Sequence, residues 1–300
     1  MSTDPLLLEE KTRQKLDRLT LVSNRVRAGS MKGERRSKNR GTSIEFADYR
    51  NYAPGDDLRR LDWNVYARLE RPYIKLLEDE EDLVVHVLLD ASASMDWGLE
   101  GEENTNKFLY AKRLFAALGY IALAGNDRLL MSAMNDHGME NFGPARGRYQ
   151  TVQMLRYAHN IAARGITDLN TTLKEYSVRA ARPGLCFVIS DMFSANGFVE
   201  GLNALVGKGY EVVMVQILAP DEIEPPLTGD LRLVDVETGT AQEVSVDSTM
   251  RDIYMERVKA WMDDIRGECN RRAVTYLPIV TDTPWEKVML YEMRRRGLVK

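Results

Sequence analysis

The sequence predicts an α/β protein built on a doubly wound, mostly parallel sheet, with an N-terminal helix and a small β-rich subdomain ahead of it. Residues 83–90, LVVHVLLD, form an apolar run that ends in an acid, as expected for a central strand covered by helices on both faces. From residue 106 onward, helix-like and strand-like segments alternate, which is typical of a doubly wound sheet. The chain has 300 residues and is 44% apolar and 29% charged, a globular composition.

The N-terminal region, residues 1–41, is expected to hold an amphipathic helix and a basic loop. From Leu6 to Arg27, apolar residues recur at steps of three and four with charges between them. Residues 1–40 carry eleven Lys and Arg against five Asp and Glu. The basic segment 25–40 has no interleaved aromatic residues, so a solvated loop or a dock for an acidic partner is favoured over a nucleic-acid contact.

Residues 42–82 are expected to form the β-rich subdomain. They mix β-branched and aromatic residues with a strong turn signal at Pro54 and Gly55, and end in five consecutive acids. The motif YAPGDDLRRLDW has a structural interpretation, in which Asp62 pairs with a nearby arginine. In that interpretation Trp63 and Tyr66 pack the subdomain against the sheet.

Residues 83–300 are expected to form the α/β domain. After the first strand, the predicted strands cover residues 128–134, 185–190, 210–218 and 274–279, with hairpins ending near 149 and 246. The predicted helices cover residues 106–125, 150–163, 169–181, 197–207, 249–272 and 284–296.

Composition excludes several classes of protein. The net charge of −4 argues against a basic protein that coats nucleic acid. Two distant cysteines, Cys186 and Cys269, indicate neither a disulfide framework nor a zinc site. The longest uncharged helical stretch, Leu114–Asn126, is thirteen residues and too short to span a bilayer. The N-terminus lacks the pattern of a secretion signal, so a cytoplasmic location without membrane contact is expected.

A candidate site lies where the predicted strands end, because ligands of open α/β sheets bind beyond the carboxyl ends of the strands. Asp90, Ser92 and Ser94 follow the first strand at alternate positions, so their oxygens can converge. Asp191 follows a second apolar strand, and Thr167 lies in a Gly-led turn that opens a helix. These five oxygen-bearing side chains suit a hard cation, Mg²⁺ in the first place, with Ca²⁺ or Mn²⁺ as alternatives.

The alternative is that these residues only cap helices, since Asp, Ser and Thr favour such positions. Asp90 would then cap the following helix, with the two serines at the surface. Either Thr167 or Asp168 would cap the next helix, and we assign that role to Asp168. The presence of all five oxygen-bearing residues at these positions favours the metal site over helix capping.

The segments DASAS (90–94), GITDL (165–169) and ISD (189–191) resemble the metal-ion-dependent adhesion site of von Willebrand factor A-like domains. The resemblance implies direct coordination by the three hydroxyls. It also implies that the two aspartates lie close by or act through water. An open coordination position would accept an acidic side chain of a protein ligand.

The preceding segment, with YAPGDDLRRLDW at 52–63, is similar to a bacterial family catalogued as domain of unknown function fifty-eight. Members of that family resemble von Willebrand A proteins and are typically encoded beside MoxR-type AAA+ ATPases. The resemblance therefore suggests such an ATPase, and other von Willebrand A-like proteins, as partners. Membrane segments found at the N-terminus of some relatives have no counterpart here, which argues against a membrane role.

The function expected from these observations is a non-enzymatic, divalent-metal-dependent protein-interaction module, an adaptor or co-chaperone of a MoxR-type ATPase. The alternative is a Mg²⁺-dependent phosphatase or nuclease that uses Asp90 and Asp191. Two carboxylates are few for metal-ion catalysis, and no P-loop, GxSxG or HExxH motif is present. A third hypothesis, nucleic-acid binding through the basic segment 25–40, is disfavoured.

Overall fold

The computed structural model describes residues 7–23, 44–58, 61–79, 83–98, 106–180, 182–226, 229–234, 241–246 and 248–300. The chain divides into two compact units. The larger unit comprises Met1–Arg25 and Leu83–Lys300, and the smaller comprises Val26–Asp82. The basic segment 25–40 lies outside the described residues.

The N-terminal segment contains a helix much shorter than the expected one, α1 (Glu10–Leu16). A turn at residues 17 and 18 follows it, and Leu21 then forms an antiparallel bridge with Val299 next to the C-terminus. The amide of Val22 donates to the carbonyl of Leu298 over 2.9 Å. Leu21 and Val22 are both buried in this pairing. Pairing with the C-terminal residues therefore replaces the expected helix.

The smaller unit pairs two antiparallel strands and carries one helix that the sequence interpretation did not include. Its elements are β1 (Ile44–Asn51), α2 (Trp63–Leu69) and β2 (Tyr73–Asp79). Asp62 caps α2, because its Oδ1 accepts the amides of Asn64 and Val65 at 2.9 and 3.2 Å. The Asp62 carboxylate also accepts the hydroxyl of Tyr49.

Two aromatic residues of α2 are partly exposed. Trp63 is 61% and Tyr66 is 43% exposed, and the expected packing of the subdomain against the sheet through them stays a prediction. Their rings contact each other edge to face with centroids 6.2 Å apart. The turn before α2 is formed as expected, with the Asp56 carboxylate accepting the amide of Ala53 over 2.8 Å.

The larger unit is built on a six-stranded sheet in the order β10–β7–β6–β3–β4–β5. Its strands and those of a separate hairpin are β3 (Val84–Asp90), β4 (Arg128–Asn135), β5 (Gly138–Ala145), β6 (Leu185–Ser190), β7 (Glu211–Leu218), β8 (Gly229–Val234), β9 (Ala241–Val246) and β10 (Thr275–Val280). All neighbouring strands of the large sheet are parallel except β5, which runs antiparallel to β4. The strands β8 and β9 pair with each other in an antiparallel hairpin.

Helices cover both faces of this sheet. They are α3 (Lys107–Ala124), α4 (Thr151–Asn160), α5 (Leu169–Arg179), α6 (Val199–Lys208), α7 (Pro220–Ile223), α8 (Ser248–Arg271) and α9 (Trp285–Lys287), and α9 continues through a π-helical turn (Val288–Glu292) into α10 (Met293–Arg295). Val85, Val87 and Leu89 of β3 join a core with α3 and α4, while Leu88 joins a second core with α5, α6 and α8. Alternate residues of the central strand thus face opposite layers, which confirms the doubly wound α/β fold.

Among the residues described, no helix is both long and apolar enough to cross a membrane. The longest apolar helix, α3, is instead a core helix, with Leu114, Leu118 and Ile121 fully buried.

Candidate functional site

The predicted site lies at the carboxyl ends of two adjacent strands. Strands β3 and β6 are parallel neighbours, so the side chain of Asp90, at the end of β3, lies near Asp191, which follows β6. Both aspartates are almost completely buried. Two carboxylates are therefore held together at the edge of the sheet where α/β proteins bind ligands.

The Asp90 carboxylate is held by two hydrogen bonds. Its Oδ1 accepts the amide of Ser92 over 3.0 Å, and its Oδ2 accepts the hydroxyl of Ser190 over 2.6 Å. Burial, followed by the nearby charge of Asp191, raises the pKa of Asp90 to about 6. A cation at this site would offset both effects.

The two serines lie in a tight turn directly after Asp90. Ser92 is buried and Ser94 half-buried, and their Oγ atoms are 3.0 Å apart. Ser92 begins the short 3₁₀ turn Ala93–Met95 without capping it through its side chain. The next helix, α3, is capped by Asn106 and not by Asp90. Helix capping therefore does not account for the hydroxyls of this loop.

Thr167 is brought to the same place by hydrogen bonds between two loops. The amide of Ala93 donates to the carbonyl of Gly165 over 2.9 Å, and the amide of Arg164 donates to the carbonyl of Ala91 over 2.8 Å. The buried hydroxyl of Thr167 donates to the Met134 carbonyl over 3.2 Å. All five predicted residues thus lie on three loops at one edge of the sheet.

Gly165 is required for this loop arrangement. Its φ is +64°, a left-handed conformation that glycine adopts easily, and a Cβ atom there would lie 2.0 Å from the side-chain carbon of Asp136. Asp136 belongs to the turn after β4, so a third strand end also borders the Thr167 loop.

Asp168 caps the following helix, as predicted. Its Oδ1 accepts the amide of Thr171 over 3.0 Å, and its Oδ2 accepts the side-chain amide of Asn196 over 2.8 Å. These hydrogen bonds, the Thr171 amide first, lower the pKa of Asp168. The capping interpretation therefore holds for Asp168, while Thr167 points its hydroxyl elsewhere.

The loop after β6 holds Asp191 by two hydrogen bonds and contains a strained residue next to it. The Asp191 Oδ1 accepts the amide of Phe193 over 3.0 Å, and its main-chain carbonyl accepts the side-chain amide of Gln216 over 3.1 Å. Met192, which lies between Asp191 and Phe193, has a φ of +67° and is buried. A left-handed non-glycine residue has a conformational cost, and such residues cluster at functional sites.

Lys107 and Glu222 are charged residues at this site that were not predicted from the sequence. The Lys107 side chain is completely buried, and its Nζ lies 2.9 Å from Asp191 Oδ2 and 2.6 Å from Glu222 Oε1. The available signal was a lysine in the first turn of a largely apolar helix, where the helix dipole disfavours a positive charge. Glu222, in α7, gave no signal of its own.

The donor set fits a hard cation through its hydroxyl and carboxylate oxygens. Within the described part of the chain, no three His, Cys, Asp or Glu residues come together as a metal site. Cation binding would consequently depend on the hydroxyls of Ser92, Ser94 and Thr167. The two close carboxylates, one of them with a raised pKa, provide the negative charge.

Other candidate groups serve the core. His86 is fully buried, with Nδ1 2.7 Å from the Tyr176 hydroxyl and Nε2 3.0 Å from the Arg182 carbonyl. Cys186 and Cys269 are free and buried. His86 is therefore a core histidine.

The sequence of this chain matches a known protein family. A family model described as "Protein of unknown function DUF58" matches residues 48–263, most of the chain. The chain belongs to the DUF58 family. The predicted resemblance to this family, which rested on YAPGDDLRRLDW and the strand-end motifs, is confirmed.

Relatives of this DUF58 chain include uncharacterized proteins of Mycobacterium bovis and Mycobacterium tuberculosis. Each is 28% identical over 295 residues, which cover 97% of this chain and 88% of the relative. Among solved structures, BatB from Bacteroides thetaiotaomicron is similar with a TM-score of 0.45 and 14% identity, covering 72% of this chain and 98% of BatB. A von Willebrand factor type A protein from Catenulispora acidiphila has a TM-score of 0.37 and 15% identity, covering 46% of this chain and 33% of that protein.

Proposed function

We propose that this DUF58 protein is a non-enzymatic interaction module whose binding to a protein partner depends on a divalent metal ion, Mg²⁺, Mn²⁺ or Ca²⁺. The observation that carries the proposal is the meeting of three hydroxyls and two buried carboxylates at one edge of the sheet. Ser92, Ser94 and Thr167 would hold the ion directly, and Asp90 and Asp191 would act close by or through water. The ion would supply a positive centre for an acidic side chain of the partner.

The loops that carry these residues also support protein binding. Each has a large apolar side chain that is 43–47% exposed: Trp97, Ile166 and Phe193. Exposed apolar side chains near a polar centre are typical of interaction sites. A partner could therefore bury apolar surface around the carboxylate that reaches the ion.

The proposed partner is a MoxR-type AAA+ ATPase, with other von Willebrand A-like proteins as further partners, and the proposed location is the cytoplasm. These parts of the proposal rest on the family resemblance. A direct test is the binding of a purified MoxR-type ATPase from the same genome, measured in MgCl₂ and again in EDTA. Complex formation in MgCl₂ that is lost in EDTA supports the adaptor role, and equal binding in both removes the metal from it.

The enzymatic alternative is a Mg²⁺-dependent phosphatase or nuclease acting through Asp90 and Asp191. The raised pKa of Asp90 favours it, because perturbed carboxylates are common at catalytic sites. The hydrogen bonds of Asp90 argue against it. Both Asp90 oxygens already accept one, from Ser92 and from Ser190, and this makes them poorer nucleophiles. Hydrolysis of p-nitrophenyl phosphate that requires Mg²⁺ and is lost in Asp90→Asn would establish the alternative.

Metal dependence itself is tested by thermal unfolding in EDTA and in millimolar MgCl₂. A ligand that binds only the folded state raises the unfolding temperature by mass action. Wild type should be stabilised by MgCl₂, and Ser92→Ala should not. Ser177→Ala is the matched control, because it removes another buried hydroxyl, one that donates to the Lys174 carbonyl within α5. Stabilisation of Ser92→Ala equal to that of the control would contradict the proposal.

A further inference from the structure

The buried ammonium of Lys107 is a positive charge already present at the proposed cation site. None of the Lys107 side chain is exposed. Its Nζ contacts Asp191 Oδ2 at 2.9 Å and Glu222 Oε1 at 2.6 Å, and lies 5.3 Å from the centre of the Phe193 ring. One of the two site carboxylates is therefore paired with a cation supplied by the protein.

Packing alone does not explain a lysine at this position. Removing an ammonium from water is costly unless good partners compensate, and the first turn of α3 adds the unfavourable end of the helix dipole. An apolar residue of similar volume would avoid both costs. The compensating contacts are made with Asp191 and Glu222, which places the role of Lys107 at the site rather than in the core.

Glu222 is itself fixed in place. Its Oε2 accepts the amide of Ala219 over 2.8 Å, which leaves Oε1 for Lys107. The main-chain carbonyl of Glu222 accepts the hydroxyl of Tyr254 over 2.7 Å. The ammonium is thus held between a site carboxylate on one side and an anchored carboxylate on the other.

We propose that Lys107 is a positioning residue that sets the affinity of this site for divalent cations by competing with them for Asp191. The inference rests on the proposed metal site and deepens it. By pairing with Oδ2, the ammonium keeps Asp191 from coordinating an ion directly and reduces the negative charge at the site. Glu222 counteracts this effect, because it draws the ammonium away from Asp191 and adds a negative charge.

The test compares Mn²⁺ affinity among variants of the full-length chain, with free Mn²⁺ counted by electron paramagnetic resonance. Replacing Lys107 by Gln should strengthen Mn²⁺ binding about tenfold or more, since a like charge is removed close to the ion. Lys112→Gln is the control, because it removes an ammonium from the same helix, one that donates to the carbonyls of His159 and Ile161. The control should bind Mn²⁺ as wild type does.

Glu222→Gln provides a second test that does not depend on the folding of Lys107→Gln. This substitution leaves every proposed donor to the ion in place but strengthens the hold of the ammonium on Asp191. We expect it to weaken Mn²⁺ binding several-fold. The same Mn²⁺ affinity in this variant as in wild type would overturn the inference.

The outcomes separate the inference from the proposed function. If wild type binds Mn²⁺ and Lys107→Gln binds it no more tightly, Lys107 does not compete and only the inference fails. If Lys107→Gln alone binds Mn²⁺, the competition is established and the metal dependence proposed for wild type fails. If no variant binds Mn²⁺, both are wrong.

Discussion

At the scale of single residues, two aspartates in neighbouring loops differ in environment and therefore in role. Asp168 is half-buried and accepts a helix amide, which lowers its pKa. Burial, followed by the nearby charge of Asp191, raises the pKa of Asp90 to about 6. The Asp168 carboxylate stabilises a helix, whereas the Asp90 carboxylate places negative charge where a cation would offset it.

Asp168→Ala should destabilise the protein without affecting the cation site. Loss of the cap on α5 should lower the free energy of unfolding by about 1 kcal/mol. Urea unfolding measures that loss, and Mn²⁺ affinity should stay at the wild-type value. A large change in Mn²⁺ affinity would show that Asp168, rather than Thr167, acts at the site.

His86 should make stability depend on pH below 7. Burial lowers the pKa of His86 from 6.5 to about 4, so the unfolded state binds the extra proton first. The stabilisation is complete above pH 6.5 and is lost as pH falls toward 4. Urea unfolding at pH 7 and pH 5 should show a loss about 2 kcal/mol larger in wild type than in His86→Gln. Equal losses in the two proteins would contradict a buried neutral imidazole.

The sequence allowed the five site residues to be predicted, because their order and their positions after apolar strands are local features. Lys107 and Glu222 could not be predicted in the same way. Their meeting depends on how α3 and α7 lie over the sheet, and they are separated by 115 positions. Glutamate is common in the first turn of helices, and an unfavourably placed lysine such as Lys107 does not reveal its partner.

At the scale of elements, the strands and helices of the α/β domain were predicted well, since buried strands and amphipathic helices have clear periodicities. The N-terminal helix was predicted too long, because alternating apolar and polar residues around Leu19 and Val22 fit a helix as well as an extended segment. Pairing with Val299 decides the outcome, and a contact that distant leaves no local signal.

The contact between α5 and α6 should be sensitive to one added methyl group. A Cβ on Gly201 of α6 would lie 2.8 Å from the Leu173 Cβ and 2.9 Å from the Leu169 carbonyl oxygen. Gly201→Ala should therefore cost about 1–3 kcal/mol of stability through overpacking. Gly207→Ala is the matched control in the same helix, where a Cβ meets no atom within 4 Å.

Gly207→Ala should leave stability unchanged or raise it by up to about 1 kcal/mol, since alanine favours helix over glycine. Thermal or urea unfolding of both variants tests this pair. If Gly201→Ala is as stable as Gly207→Ala, the two helices do not pack as closely as described.

At the scale of the whole molecule, the sheet brings together residues that are distant in sequence. Asp90, Thr167 and Asp191 come from three loops that meet because β3 lies between β4 and β6. The fold therefore brings these three side chains to one edge of the sheet. The two compact units also show that the YAPGDDLRRLDW segment belongs to a unit of its own, Val26–Asp82.

The central claim is that the hydroxyls of Ser92, Ser94 and Thr167 hold a divalent cation. The most direct measurement is a crystal structure of the protein grown with MnCl₂, with an anomalous difference map collected at the manganese edge. We expect one strong peak within about 2.5 Å of these hydroxyl oxygens. A map with no peak there, from crystals in which Lys107 and the two aspartates are well ordered, would contradict it.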